Sequence, residues 1–247
     1  MKIVHATWEN RNLGRDAYEI TLNRADLRSL ELTLEKIHAQ DFSGAYVVIK
    51  MPVGDLRALH MLEDDGFRFI EMQLHLVQYF EPHEDNCVID GARHTKWIKV
   101  AKNREDWERV IQKITPEMFE KDRISLDPLL GNEMACHRYQ NWCRDLYDDP
   151  MSELQVFKVN GEEVCFELNV YDSKNSVYNK VLGGVFADFK QQGYGALPSL
   201  QERIPKISKV KTVVSSNNLA MLRIHQFYGK IVTSGCYVLR KIYDLEK

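Results

Sequence analysis

The chain has 247 residues, 44% hydrophobic, 10% aromatic and 28% charged, enough apolar content for a packed core and too much for a wholly disordered chain. That length fits one large domain or two small ones. Basic side chains number 33 against 36 acidic ones, a formal charge of −3, and no long Lys/Arg block occurs. No nucleic-acid partner is therefore expected.

Met1 to Ala6 gives way to charge at Glu9 and Arg11. The stretch has neither the apolar run of a secretory signal nor the roughly 20 apolar residues of a membrane span. A cytoplasmic protein with no membrane partner is expected. The five cysteines, Cys87, Cys136, Cys143, Cys165 and Cys236, form no Cys-x-x-Cys pair and read as reduced thiols. Cys136, His137 and Cys143 fall in a helical stretch with no fourth ligand, so no metal is expected. There is no P-loop, dinucleotide fingerprint or His-Glu-x-x-His motif.

In chain order, the first half predicts a strand over 18–22, a helix over 25–40, a strand over 45–51, a helix over 55–65 and a strand over 67–80. Asp26 and Asp55 are the expected N-caps, and Gly66 the C-terminal stop of the second helix. In the last strand Met72, Leu74, Leu76 and Gln78 alternate with the other face. The polar run Glu81 to Asn86 places a boundary near 81–93.

The second half predicts a short strand from Trp97 to Ala101, then helices from Arg104 to Ile114 and from Asn132 to Leu146. Strands follow at Leu154–Val159, Glu163–Tyr171 and Val177–Phe186. Asn160-Gly161 joins the first two, a dipeptide that tolerates positive φ at both turn positions. A turn through Gly193 and Gly195 leads into a helix to about Ile204. A strand over Lys209–Ser215, a helix over Asn218–Tyr228 and a closing pair of strands over Ile231–Ile242 complete the chain.

The halves echo each other. Asp55 to Gly66 and Asn218 to Gly229 place a capping residue and a glycine at the same separation, align Leu56 and Leu59 with Leu219 and Leu222, and each lead into a long strand. Either two capped amphipathic helices match by chance or a half-domain is duplicated.

The segment from Val185 to Ala196 ends a strand and opens a helix. Unpaired backbone N–H groups at such a junction suit a pyrophosphate, and Gly193 and Gly195 let it approach the main chain. An ordinary turn before a helix has the same spacing. A three-stranded meander, this turn, a helix, a strand, an Asn-capped helix and final strands resemble the GNAT superfamily of acyl-CoA-dependent N-acetyltransferases. Its signature is Arg/Gln-x-x-Gly-x-Gly/Ala. Here Lys190-Gln191-Gln192-Gly193-Tyr194-Gly195 fits, with Val185 and Phe189 in register and lysine at the first position. Asn218 through Gly229 matches a second family element, with Lys230 where the family often has Phe.

Within the superfamily, Asp122–Pro128, Arg138–Trp142 and Tyr237–Arg240 resemble the TDP-fucosamine acetyltransferase group. The resemblance implies an α+β fold with a mixed, splayed central sheet flanked by helices. An incomplete half-domain without a coenzyme site (1–85) would precede a complete acetyl-CoA-binding catalytic domain (93–247).

It further implies that main-chain groups of Val185 and Phe186 bind the pantetheine arm of acetyl-CoA and polarise the thioester. The pyrophosphate would sit on Lys190, Gln191, Gln192, Gly193, Tyr194, Gly195 and Ala196, with Asn218 nearby. The tyrosine that protonates the thiolate in the family falls at His225. Tyr228 and water are the other candidates. The acceptor would be a small amine, foremost an amino group on a nucleotide-linked deoxysugar; another amine or a non-catalytic acyl-CoA binder are the alternatives. Asp127, Tyr139 and Trp142 are acceptor-site candidates, although Tyr139 and Trp142 also suit a core stripe and Asp127 a turn before Pro128. The long carboxy-terminal strands could pair across a homodimer axis.

Overall fold

A computed structural model describes residues 1–80, 95–100, 102–200 and 207–243. The expected boundary at 81–93, Cys87 and the end of the helix expected to reach Ile204 lie outside the described residues. The first half contributes β1 (Lys2–His5), α1 (Thr7–Leu13), β2 (Ala17–Thr21), α2 (Arg24–Arg28), α3 (Leu30–His38), β3 (Tyr46–Pro52), α4 (Leu56–Asp64) and β4 (Arg68–Tyr79). The second begins with β5 (Thr95–Lys99), α5 (Arg104–Ile111), α6 (Asn132–Tyr147), β6 (Ser152–Val159) and β7 (Glu162–Asp172). It ends with β8 (Val177–Val185), α7 (Leu197–Leu200), β9 (Lys209–Ser215), α8 (Leu219–Phe227) and β10 (Ile231–Ile242).

The ten strands among the described residues form one mixed sheet in the order β1-β2-β3-β10-β4-β9-β8-β7-β6-β5. One face packs on α3, α4, α7 and α8. The other is covered by α5 and α6 over the second half and by the loop at Leu130 and α1 nearer the first. Asn160 (φ 52°) and Gly161 (φ 90°) make the expected hairpin turn.

Several expectations need correction. β1 and α1 were not foreseen; α1 is short and stops at Gly14, whose φ of 66° closes it. The helix expected over 25–40 breaks at Ser29. Its cap is Asn23 rather than Asp26: Asn23 Oδ1 accepts the Ala25 and Asp26 amides at 2.7 and 3.1 Å, while Asp26 accepts the Asn23 amide at 2.8 Å. Asp55 does cap α4, accepting from the Ala58 amide at 3.0 Å. The closing pair of strands is a single 12-residue strand, β10. It lies between β3 and β4, with both edges hydrogen-bonded, and so cannot pair across a dimer axis.

The echo has a structural counterpart. β3, α4 and β4 recur as β9, α8 and β10, with equal lengths and starts 163 positions on (46 to 209, 56 to 219, 68 to 231). β4 and β10 pair antiparallel about Gln73↔Cys236, and each strand carries one register shift, at Ile70 and Thr233, which are again 163 apart. Cys236↔Pro52 through Ile242↔Tyr46 on one side repeats as Gln73↔Ser215 through Tyr79↔Lys209 on the other. A local twofold axis therefore runs between Gln73 and Cys236. Each half places its last strand inside the other's sheet, and neither sheet is closed without the exchange.

Candidate active site

The two halves differ where their parallel strands meet. In the first, β2 and β3 stay paired from Ala17↔Tyr46 to Thr21↔Lys50, and the Leu22 amide extends the ladder to the Lys50 carbonyl at 2.9 Å. In the second, β8 and β9 pair only from Val177↔Lys209 to Lys180↔Thr212. A bulge at Val181 follows, and Val181–Val185 then runs on without a partner on that side among the described residues. The sheet opens there into a V.

Main-chain groups point into the gap. The Phe186 amide donates to the Val164 carbonyl at 3.0 Å, and the Phe186 carbonyl accepts from Phe189 at 2.9 Å, so the main chain of Phe186 is engaged within the protein. Antiparallel alternation then turns the peptide groups of Val185 and Gly183 away from β7, towards the gap. Gly183 is exposed and was missed in the sequence, where the strand's glycines carried no motif.

The turn after β8 is held open by its backbone. Gln191 (φ 64°) and Gly193 (φ 82°) both adopt left-handed conformations, and no atom lies within 4 Å of where a Gly193 Cβ would stand. The Lys190 amide donates to Ala187 and the Ala196 amide to Gly193. Among the described residues, the five amides from Gln191 to Gly195 have no hydrogen-bond acceptor. Such a row of free N–H groups is an anion nest. Phe189 and Tyr194 pack edge to face at 6.1 Å, and Cys165 Sγ lies 3.6 Å from the Tyr194 carbonyl. Burial pushes the Cys165 thiol up to about 12, so it stays protonated.

Lys190 does not reach over this turn. Its ammonium meets the Glu117 carbonyl and, at 2.8 Å, the Glu120 carboxylate. Asp188 is exposed on the same turn, so the attraction for an anion comes from amide dipoles rather than net side-chain charge.

α8 runs beside the turn. A Cβ on Gly195 would sit 3.7 Å from Met221 and 3.8 Å from Ile224. Helical spacing puts Met221, Ile224, His225 and Tyr228 on one side of α8. His225 is buried, and its counterpart in the first half is Leu62, a core residue. Tyr228 ends the helix with its ring edge-on to Phe227 at 5.1 Å. Asn218 acts as the helix cap, accepting from the Met221 amide at 3.2 Å. Lys230 is buried like its counterpart Phe67, with its ammonium 3.5 Å from Gln78 Oε1.

On the opposite face the gap opens into a cavity of about 450 Å³ lined by Trp142, His75, Asn179, Val181, Lys211 and Thr233, among others. Trp142, an acceptor-site candidate, thus reaches a cavity. Arg138 lies over the rings of Tyr139 and Trp142 at 5.5 and 5.4 Å and bonds Glu9 of α1 at 2.7 Å. Burial would raise the Glu9 carboxyl, but Arg138 and Arg123 outweigh it and hold the pKa below the usual range.

Tyr139 and Asp127 have structural placements instead. Tyr139 is buried against Phe119 with ring centroids 4.2 Å apart. Asp127 has a fully buried carboxylate that accepts from Tyr46 and Arg240, both at 3.0 Å, and from the Leu129 amide. The segments around Asp127, Arg138 and Arg240 therefore join the two halves.

His75, Lys211 and Thr233 were missed. The available signal was the polar face of β4, where Glu71, Gln73 and His75 alternate with Met72, Leu74 and Leu76. That face is not solvent: Glu71 is only 1% exposed. Burial raises its pKa, against the opposing pull of Ser215 and Gln73. Among the described residues no group of three or more His, Cys, Asp or Glu could hold a metal ion, and no helix is long and apolar enough to cross a membrane.

The fold is that of the GNAT acyltransferases. A GCN5-related N-acetyltransferase from Sphaerobacter thermophilus aligns over 98% of this chain and 76% of its own, at 12% identity and a TM-score of 0.59. One from Kribbella flavida aligns over 92% and 81%, at 13% identity and 0.53. More particularly, a tandem GNAT protein from the clavulanic acid biosynthesis pathway aligns over 89% and 70%, at 12% identity and 0.52. No family model and no curated protein matches the sequence.

Proposed function

We propose that the chain is an acetyl-CoA-dependent N-acetyltransferase acting on a small amine that carries an anionic group. The observation that carries this reading is the row of five free amides, Gln191 to Gly195, at the mouth of an opened β8–β9 pair. Those amides would hold the pyrophosphate of acetyl-CoA, and the pantetheine arm would lie in the gap against Val185 and Gly183. An N–H aimed at the thioester oxygen stabilises the tetrahedral intermediate, typically by ~3–4 kcal/mol. The acceptor nitrogen attacks from the cavity side, and His225 protonates the departing thiolate. Among the described residues of the first half, Asn23 and Asp26 already occupy the backbone donors that open α2, which supports a single coenzyme site.

The cavity lining favours an anionic acceptor. It contains Lys211, an imidazole, hydroxyls, an amide and an indole, and no carboxylate among its lining residues. This disfavours polyamines and suits a phosphorylated or nucleotide-linked amine, so an amino-deoxysugar on a nucleotide remains our leading acceptor.

Calorimetry with acetyl-CoA, paired with thiol detection over a panel of amines, tests the proposal. Saturable acetyl-CoA binding and CoA release driven by a nucleotide-linked aminosugar are expected. Faster turnover of a polyamine would overturn the acceptor assignment. Binding without transfer to any amine would make the chain an acyl-CoA binder, and absence of binding would remove the reading altogether.

A further inference from the structure

The acceptor side of the gap carries a basic group that neither the coenzyme turn nor α8 supplies. His75 lines the cavity, on the β4 face it shares with Glu71 and Gln73 and opposite the face on which Leu74 and Leu76 meet α8. Its register partners are Val213 on β9 and Ser234 on β10. Val213 is the first residue of β9 beyond the last β8–β9 pair, so His75 stands beside the apex of the V. Among the described residues, no side-chain hydrogen bond holds its imidazole.

The charged and titratable groups around it are Lys50 on β3, which is paired with Glu19 on β2 at 2.8 Å, Lys211 on β9 and Cys236 on β10. Lys180 of β8 also lines the cavity, but its ammonium turns to Glu167 at 3.2 Å and the Pro198 carbonyl at 3.1 Å. α6 contributes Trp142 to the wall. Burial first, and the Lys50 charge second, hold the His75 pKa below the ordinary histidine value. At neutral pH it is an uncharged proton acceptor facing a space large enough for a small substrate.

We propose that His75 is the general base of the transfer reaction. The inference rests on the acetyltransferase reading above. The nitrogen lone pair forms the C–N bond, and the C–S bond breaks with its electron pair passing to sulfur. The proton lost from nitrogen passes to the imidazole and from there to water, while the thiolate is protonated on the coenzyme side. The first half, which carries β4, then supplies a reacting group to a site whose coenzyme turn belongs to the second.

The test uses the full chain, acetyl-CoA, and two acceptors: galactosamine 1-phosphate, an anionic aminosugar suited to Lys211, and water. CoA release is followed across pH while calorimetry measures acetyl-CoA affinity separately. His75→Gln is expected to lower CoA release about 100-fold or more with acetyl-CoA affinity within about threefold of wild type. Lys50→Met removes a positive charge beside the base. It should keep the plateau rate and move the acidic limb of the profile upward by about half a pH unit or more, a shift that a merely structural role for His75 would not produce.

Unchanged turnover in His75→Gln, or an unmoved limb in Lys50→Met, overturns the proposal. A wild-type chain that binds acetyl-CoA yet releases no CoA to either acceptor at any pH also overturns it, and leaves the coenzyme site standing. A wild-type chain that does not bind acetyl-CoA sinks the underlying reading, and calorimetry shows that outcome by itself.

Discussion

Gln73 and Cys236 face each other across the β4–β10 pair, and the local twofold axis of the sheet passes between them. Cys236 Sγ lies 4.0 Å from Gln73 Oε1. Strand β10 is flanked by β3 and β4, so the core beneath the first half includes Leu239, which is fully buried on β10. A fragment of residues 1–85 lacks that strand and leaves two strand edges open over an unfilled core. It should show neither cooperative thermal unfolding nor dispersed amide resonances, whereas the whole chain unfolds in one transition. An independently folded fragment would contradict the interlock.

The Asp127–Arg240 contact fastens the same exchange. Arg240→Leu leaves a fully buried carboxylate facing only Tyr46 and the Leu129 amide. A loss of about 3–5 kcal/mol is expected in urea unfolding at neutral pH, the usual cost of stranding a buried charge.

Gly193 tests the coenzyme turn without touching the core. Its φ of 82° is strained for any residue with a β-carbon, although there is open space around it. Gly193→Val should cost about 1–2 kcal/mol locally and weaken acetyl-CoA binding about tenfold or more as the nest re-forms less often. Melting temperature in the absence of coenzyme should change little compared with the stabilisation that acetyl-CoA confers. Full affinity in Gly193→Val would place the pyrophosphate elsewhere.

His225 is assigned to the leaving group. His225→Phe should reduce kcat about 100-fold where chemistry limits turnover, with acetyl-CoA KM nearly unchanged. An unaltered kcat would transfer the role to Tyr228 or water.

Glu163 gives a pH prediction remote from the site. Arg109 and Lys113 each lie 2.7 Å from its Oε2, linking α5 and the segment after it to β7. Burial would raise the carboxyl, but those hydrogen bonds prevail and hold it at about 2, below the ordinary 4.5. A depressed folded-state pKa stabilises the protein above pH 4.5, and that contribution is lost as pH falls from there towards 2. Lys158 adds a third cation 3.5 Å from Oε1, and with all three cations partly exposed the network is worth about 1 kcal/mol. The melting-temperature deficit of Glu163→Gln should therefore be full at pH 7 and shrink steadily below pH 4.5.

Much of the fold was legible because local chemistry is specific. Asn160-Gly161 can adopt positive φ twice, and Asp55 and Asn218 mark helix starts with glycines at a fixed distance beyond. The strand exchange was not legible: β10 has the composition of any internal strand, and nothing in its alternation says which neighbours it will have. The break at Ser29 was hidden by an apolar pattern that continues through it. For the candidate site, the turn was legible through Gly193 and Gly195, and Val185 came from the family resemblance. His75 was overlooked because a polar strand face reads as solvent, and only the layer containing α6 makes it an interior wall. Asp127 was an acceptor-site candidate with turn-shaping as the alternative; it accepts from the Leu129 amide, and its other partners, Tyr46 and Arg240, lie 81 and 113 residues away in the chain.

The central position of β10 also governs the order in which this protein is built. Every other strand leaves the ribosome before it, and at about 5–20 residues per second β3 precedes it by roughly 10–40 s. Throughout that interval the nascent chain holds two unsealed strands with a vacant lane between them. The sheet can close only once β10 has emerged, so the two halves cannot be finished one after the other.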